Sequence, residues 1–212
     1  MKLYSYWRSS AAYRVRIALN LKGLDYEIVA INLLEGAQGA ESYRGVNPQA
    51  LVPALEIDDA LLTQSLAIIE YLDESHPEPP FLPSDPADRA RARAFAQAIA
   101  CDIHPLNNLR VLNYLRQELD QDKEAVGRWY CHWIAKGLGA LEEVLNASPE
   151  SATFCFGERP GLADICLIPQ LHNAHRLECD VSQLRTLRRI EEECVKLPAF
   201  AEAAPDNQPD AG

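Results

Sequence analysis

Apolar and polar positions change period several times along the chain, and each change marks an element. Leu3, Tyr4 and Tyr6 lie in a run with strand chemistry over Lys2–Trp7, and a helix-like run then starts near Ala11. It stops at Lys22-Gly23, a basic residue followed by a helix-ending glycine. Tyr26 to Asn32 sets Tyr26, Ile28 and Ala30 against Glu27, Val29 and Ile31, which predicts a second strand. Strand, helix and strand within about thirty residues predict a parallel βαβ unit.

Leu33 to Pro48 carries Gly36, Gly39, Gly45 and Asn47-Pro48, so it predicts loop with at most short helix. Leu51–Glu56 and Ala60–Thr63 read as two short strands joined across Asp58-Asp59. Pro53, at the entry to the first of these, marks an edge, a bend or a cis bond. An edge there would leave backbone groups for an extended peptide to pair with. Ser65, Ile68, Ile69 and Leu72 recur at helical spacing, with Ser65 as the expected cap.

Five prolines between His76 and Pro86 make a stiff connector and the expected domain boundary, between residues 1–80 and 87–212. Beyond it only helices are expected. One opens at Ser84-Asp85-Pro86 and runs through Asp88–Gln97 to a break at Pro105, and another spans Lys123–Leu145. A buried helix follows Pro160-Gly161 and ends near Arg176, with Asp164 reaching back to the exposed amides at its start. Segments near Val181–Lys196 and Ala199–Ala204 close the chain before a tail rich in Pro and Asp.

Charge removes several function classes. A formal net charge of -11 argues against a nucleic-acid partner, and no apolar run predicts a membrane span or signal peptide, so a soluble cytoplasmic protein is expected. The six cysteines contain no C-x-x-C pair, so neither a metal site nor a redox pair is expected and the thiols read as reduced and structural.

Candidate chemistry concentrates where the first strand meets the first helix. A thiolate or carboxylate held at Ser9 or Ser10 would meet unpaired amide N–H groups and the positive end of the helix dipole. The same serines could equally do no more than cap the helix. No cysteine lies near them, so any thiol acting at that junction must come from a ligand. Around Pro105, the polar group Asp102, His104, Asn107, Asn108 and Arg110 is either a capped break between helices or the lining of a cleft.

Ser9-Ser10 before Arg14-Val15-Arg16-Ile17-Ala18-Leu19, Asn47-Pro48 with Val52-Pro53, the run Gln64-Ser65-Leu66-Ala67-Ile68-Ile69-Glu70-Tyr71-Leu72, and Leu162-Ala163-Asp164 together resemble the zeta class of glutathione transferases. That resemblance spans almost the whole chain. It implies α/β plus all-α architecture: a thioredoxin-like amino-terminal domain binding glutathione (1–80), an all-helical carboxy-terminal domain (87–212), and a homodimer. The implied activity is glutathione-dependent cis–trans isomerisation of maleylacetoacetate to fumarylacetoacetate in aromatic amino acid breakdown. Maleylpyruvate isomerisation in gentisate breakdown and glutathione conjugation are the alternatives.

Carried over by residue, the resemblance makes Ser9 the hydroxyl that activates the glutathione thiol, flanked by Ser10 and Ala11, where the family usually has Ser-Ser-Cys. Tyr6 is the rival hydroxyl, since related classes use a tyrosine near the end of the first strand. Val52 before a cis Pro53 would pair with the cysteinyl backbone, Gln64 and Ser65 would hold the γ-glutamyl end, and Gln38, Asp102, His104 and Asn108 would complete the glutathione contacts. Arg8, Arg110 and Arg176 would hold the dicarboxylate, Arg8 also serving catalysis, because planar guanidinium groups suit carboxylates. Gly161 stands where many members place a Ser or Thr cap, which would leave the helix a few tenths of a kcal/mol less stable.

Overall fold

The computed structural model describes residues 1–148 and 151–211; Gly212, the last residue of the expected second domain, lies outside them. Contacts divide the chain into two units, Met1–Pro80 together with Val195–Gly212, and Phe81–Cys194. The final segment, expected in the helical domain, therefore packs with the first unit.

In that first unit, β1 (Lys2–Ser5), β2 (Glu27–Ala30), β3 (Ala54–Ile57) and β4 (Ala60–Thr63) form one sheet in the order β2-β1-β3-β4. β1 runs parallel to β2 and antiparallel to β3, and β3 is antiparallel to β4. The expected βαβ unit is present, with α1 (Ser10–Leu21) as its crossover, and α2 (Glu41–Arg44) is a single short helix in the segment read as loop. Two expectations need correction. β1 stops at Ser5 rather than Trp7, because the Trp7 backbone bonds outside the ladder, its N–H to Asp210 Oδ2 at 3.0 Å and its carbonyl to Arg16 Nη2 at 3.1 Å. Nor is β3 an edge: it pairs on both sides, and Pro53 precedes the ladder, which begins at Ala54.

Burial explains the register. Leu3 and Leu55 are partners on neighbouring strands, and both are buried together with Val15 of α1 and Ile68 and Leu72 of α3 (Ser65–Ser75). Removing a side chain of that size from water stabilises the fold by about 1.5–3 kcal/mol. Ser65 is the first residue of α3 and not its cap; Gln64 holds the cap position at φ 70° without capping through its side chain.

α9 (Pro198–Ala203) lies on α1, and polar side chains make the joint. Tyr13, Arg16 and Asn20 fall on one stripe of α1 and donate to the carbonyls of Phe200, Ala203 and Ala199 at 3.2, 2.9 and 3.1 Å. The Phe200 and Ala203 carbonyls are among the last four of α9, which have no partner within the helix.

The second unit is helical: α4 (Pro86–Gln97), α5 (Leu109–Gln117), α6 (Lys123–Asn146), α7 (Leu162–Arg176) and α8 (Arg185–Cys194). Its described residues include no strand beyond one bridge, Phe154 to Gly157. The break expected at Pro105 is a π-helical stretch over Ala98–Ile103 followed by a 3-10 turn over His104–Asn107. Asp164 accepts from the N–H groups of Gly161 at 2.8 Å and Cys155 at 2.9 Å, as the turn-into-helix reading requires. A Cβ on Gly161 would lie 2.5 Å from the Phe81 carbonyl oxygen, so glycine here reflects a close approach. The thiols are not all reduced, because Cys131 and Cys179, 48 residues apart, form a disulfide with Cα atoms 5.1 Å apart.

Candidate active site

Ser9 is the N-cap of α1. Its Oγ accepts from the Ala12 N–H at 3.2 Å. A hydroxyl used as an acceptor keeps its own proton to give, and the bond it accepts polarises it further. The structural role expected of a capping serine and the chemical role are thus compatible on one side chain. Ser10, the first helical residue, is buried, and Ala11 is half-buried beside it. A group with negative charge at Ser9 would lie on the axis of a twelve-residue helix at its positive end.

The backbone before Ser9 is held on several sides. Ser9 N–H donates to the Tyr6 carbonyl at 2.8 Å, and both polar groups of the Trp7 peptide are engaged as described. Arg8 projects from this corner, exposed, with its Cζ 4.2 Å from the centre of the Trp7 ring. A cation over an indole face is attracted by roughly 0.5–1 kcal/mol at exposed sites. Tyr6 packs with Tyr43 and Val52, and its hydroxyl is buried without a hydrogen-bond partner among the described residues. Burial pushes the Tyr43 phenol up to about 12, so it stays a donor, and it donates to the Leu51 carbonyl at 2.7 Å.

Asn47 Nδ2 donates to that same carbonyl at 2.7 Å, so two side chains anchor the peptide that precedes Val52. The Val52–Pro53 bond is cis, as the resemblance implies. Val52 and Trp7 pack in one cluster, which brings the proline-marked segment to the Ser9 corner.

Gln64 adopts φ 70° and ψ 115°, a conformation costing about 1–3 kcal/mol in a residue with a side chain. Its Nε2 donates to Gln49 Oε1 at 3.0 Å. Next to it, the buried Ser65 Oγ accepts from Arg14 Nη1 at 3.3 Å, which ties the start of α3 to α1. Gln38, in a 3-10 turn over Ala37–Gly39, has its Oε1 buried with no partner among the described residues.

On the second unit, the expected residues divide between capping and exposed positions. Asn108 is the N-cap of α5 and accepts from the Arg110 N–H at 3.1 Å, so the capped-break reading of the Pro105 region holds for this residue. Asn107 Nδ2 donates to the Tyr130 carbonyl at 3.1 Å. Asp102 and Arg110 are exposed, and His104 is half-buried at the head of the 3-10 turn. Arg176 is exposed at the last position of α7, near the buried Tyr130 phenol. Burial raises that phenol above its ordinary value, and Arg176 opposes the rise.

Arg16, Asp210 and Tyr130 were not singled out as site-supporting residues from sequence. The first is fully buried and the second lies in a tail that composition reads as loose, so the periodicity of neither points to the corner they hold. Tyr130 does fall on the buried stripe of α6, in register with Ile134 and Leu138, but nothing in that stripe reveals that Arg176 lies near its phenol.

Taken together, the first unit offers a capping hydroxyl at a positive helix end, an extended segment before a cis proline, and a strained residue at a second helix start. That donor set fits a small peptide carrying a thiol and a carboxylate.

Comparison with known proteins agrees with this chemistry. Residues 3–80 match the family description "Glutathione S-transferase, N-terminal domain", and residues 134–190 match "Glutathione S-transferase, C-terminal domain". The maleylacetoacetate isomerase of Pseudomonas aeruginosa is 48% identical over 213 residues, covering 99% of this chain and 98% of that one. A solved holo structure of a maleylpyruvate isomerase, described as a bacterial glutathione S-transferase in the zeta class, superposes with a TM-score of 0.99 at 43% identity over 100% of both chains. The maleylacetoacetate isomerase of Methylobacterium extorquens AM1, solved with bound malonate and GSH, does so with a TM-score of 0.97 at 42% identity over 100% of both.

Proposed function

We propose, because this chain belongs to the zeta class of the glutathione S-transferase family, that it is a glutathione-dependent isomerase converting maleylacetoacetate to fumarylacetoacetate. The observation carrying the reading is Ser9, whose Oγ accepts from Ala12 and therefore keeps a proton to donate at the positive end of α1. Bound glutathione supplies a thiol whose ionised form adds to the maleyl double bond and leaves again after rotation.

Each further role falls to this chain. Ser9 keeps its hydroxyl proton and would donate a hydrogen bond from it to the sulfur, which favours the thiolate over the thiol, and the helix end adds to that preference. Ser10 and Ala11 set the backbone at the start of the helix. Val52 offers backbone groups to the extended peptide, Gln64 and Ser65 bind its γ-glutamyl carboxylate, and Gln38 contacts its other end. Asp102, His104 and Asn108 remain proposed glutathione contacts on the second unit, Asn108 through whatever its capping bond leaves free.

Dicarboxylate binding is assigned to Arg8, Arg110 and Arg176. In a chain of net charge -11, holding a dianion requires local cations, and fork-shaped guanidinium groups meet carboxylates with paired bonds. Arg8 also meets the charge that develops on the substrate as the double bond opens. Bound malonate and GSH in the Methylobacterium relative support a dicarboxylate ligand for a glutathione-binding protein of this kind.

Maleylpyruvate is the second substrate reading, favoured by the TM-score of 0.99 to a maleylpyruvate isomerase. We assign the protein to the cytoplasm as a homodimer; among the described residues no helix is long and apolar enough to cross a membrane. The test is purified protein with each maleyl substrate, with and without glutathione, following loss of the enolic absorbance. Turnover of maleylacetoacetate only with glutathione is the expected result, and faster turnover of maleylpyruvate would transfer the assignment to the second substrate.

A further inference from the structure

One peptide next to the Ser9 corner is held in a way no helix or sheet requires. Trp7 lies past the end of β1 and before the cap of α1, so neither element supplies partners for its backbone. Its N–H donates to Asp210 Oδ2 at 3.0 Å, across 203 residues of sequence, and its carbonyl accepts from Arg16 Nη2 at 3.1 Å. Arg16 is fully buried and spends its other donors on Ser5 Oγ at 3.0 Å and the Ala203 carbonyl at 2.9 Å.

One guanidinium therefore joins the end of β1, the corner and the end of α9, while a carboxylate just beyond α9 completes the hold from the other side. Burial pulls the Arg16 guanidinium down to about 10, and Tyr26, Tyr13 and Asp210 oppose that shift. Asp210 is thus both the acceptor for the Trp7 N–H and a counter-charge for the cation that holds the carbonyl of the same residue. The Trp7 ring in turn carries Arg8, and Ser9 N–H closes a turn onto the Tyr6 carbonyl.

We propose that Asp210, acting with Arg16, is a positioning residue that fixes the Trp7 peptide and so holds Arg8 and Ser9 where the glutathione sulfur and the substrate carboxylate meet them. This inference rests on the function assigned above. Asp210 need touch neither substrate nor glutathione. Its effect passes through one backbone amide, and the precision of the Ser9 hydroxyl is what it controls.

The test compares Asp210→Ala and Asp210→Asn with wild type by titrating the thiolate absorbance of bound glutathione, by the kcat and KM for glutathione, and by amide exchange at Trp7 in the ligand-free protein. Asn keeps an oxygen acceptor for the Trp7 N–H and loses the charge. For D210A we expect faster exchange at Trp7, a thiol titration displaced upward by about 0.5–1 unit, and kcat at neutral pH lower by roughly threefold to tenfold, with KM changed less than about twofold. D210N should return the titration close to wild type.

A D210A titration overlaying wild type would overturn the inference even if its melting temperature fell, because a merely structural tail lowers stability without moving the thiol. A D210N titration as displaced as that of D210A would also overturn it, assigning the effect to charge alone. Absence of any thiolate signal in wild type would overturn the function reading, and this inference with it.

Discussion

Replacing Ser9 perturbs two things that can be separated. The Ser9 side chain caps α1 through the 3.2 Å bond from Ala12, and in the mechanism it donates to the sulfur. Loss of such a cap to alanine costs about 1 kcal/mol. For a chain of 212 residues that lowers the melting temperature by about 2–4 °C. Loss of a hydrogen bond to a charged group costs about 1.5–3 kcal/mol, equivalent to roughly 1–2 units in the thiol titration. Ser9→Ala should therefore cut the thiolate fraction at neutral pH about tenfold to a hundredfold, with activity recovering as pH rises past about 9. Ser9→Gly isolates the chemistry, since glycine caps within a few tenths of a kcal/mol of serine. It should melt like wild type and titrate like Ser9→Ala. The assay is thiolate absorbance of bound glutathione against pH, read beside kcat/KM over the same range. A Ser9→Gly curve overlaying wild type would refute the donor role and leave Ser9 as a cap alone, with the buried hydroxyl of Tyr6 the next candidate.

Gly161→Ser, although it installs a favoured capping residue, should destabilise by about 1–3 kcal/mol in urea unfolding, because its Cβ would lie 2.5 Å from the Phe81 carbonyl oxygen. Burial raises the Asp164 carboxyl above its ordinary value even though the backbone N–H groups of Gly161, Cys155 and Asp164 itself and the Cys155 thiol oppose the shift. The folded chain then binds that proton more tightly than the unfolded chain, so the contribution of this group to stability grows as pH falls through the interval between its unfolded and folded values. The stability gap between wild type and Asp164→Asn should widen from pH 7 toward pH 4, and a constant gap would contradict the raised value. The Cys131–Cys179 bridge closes 48 residues of chain and should stabilise by about 2–4 kcal/mol. A thermal melt in dithiothreitol should drop accordingly, whereas Cys131→Ser should melt alike with and without reductant.

Local signals were legible and long-range ones were not. The turn at Asp58-Asp59 and the Asp164 cap were readable because partners lie within a few residues, as was the break before Pro105. Ser9 was readable as a helix cap for the same reason, and the structure makes it one. The spacing of Ile68, Ile69 and Leu72 from Ser65 placed a helix start correctly but made Ser65 its cap, whereas Gln64 holds that position through a positive φ that no glycine signals. Pro53 left an edge, a bend or a cis bond open, and only the pairing of β3 with both β1 and β4, beside the cis Val52–Pro53 bond, removes the edge. The Cys131–Cys179 bridge and the Asp210–Trp7 bond join residues 48 and 203 positions apart, where no periodicity carries information. Arg14 and Arg16 look like solvated helix charges in a pattern, yet both are buried, because α3 and α9 supply oxygens for their guanidinium groups.

The central claim is that glutathione enters the reaction at the Ser9 corner and leaves it unchanged. It is tested most directly by titrating free thiol while the purified protein converts maleylacetoacetate through many turnovers at a fixed glutathione concentration. The account requires the enolic absorbance of the substrate to disappear, the trans product to accumulate, and the thiol titre to stay where it began. A thiol titre that falls mole for mole with substrate would make the protein a conjugating transferase, and turnover at the same rate without glutathione would remove the thiol from the mechanism altogether.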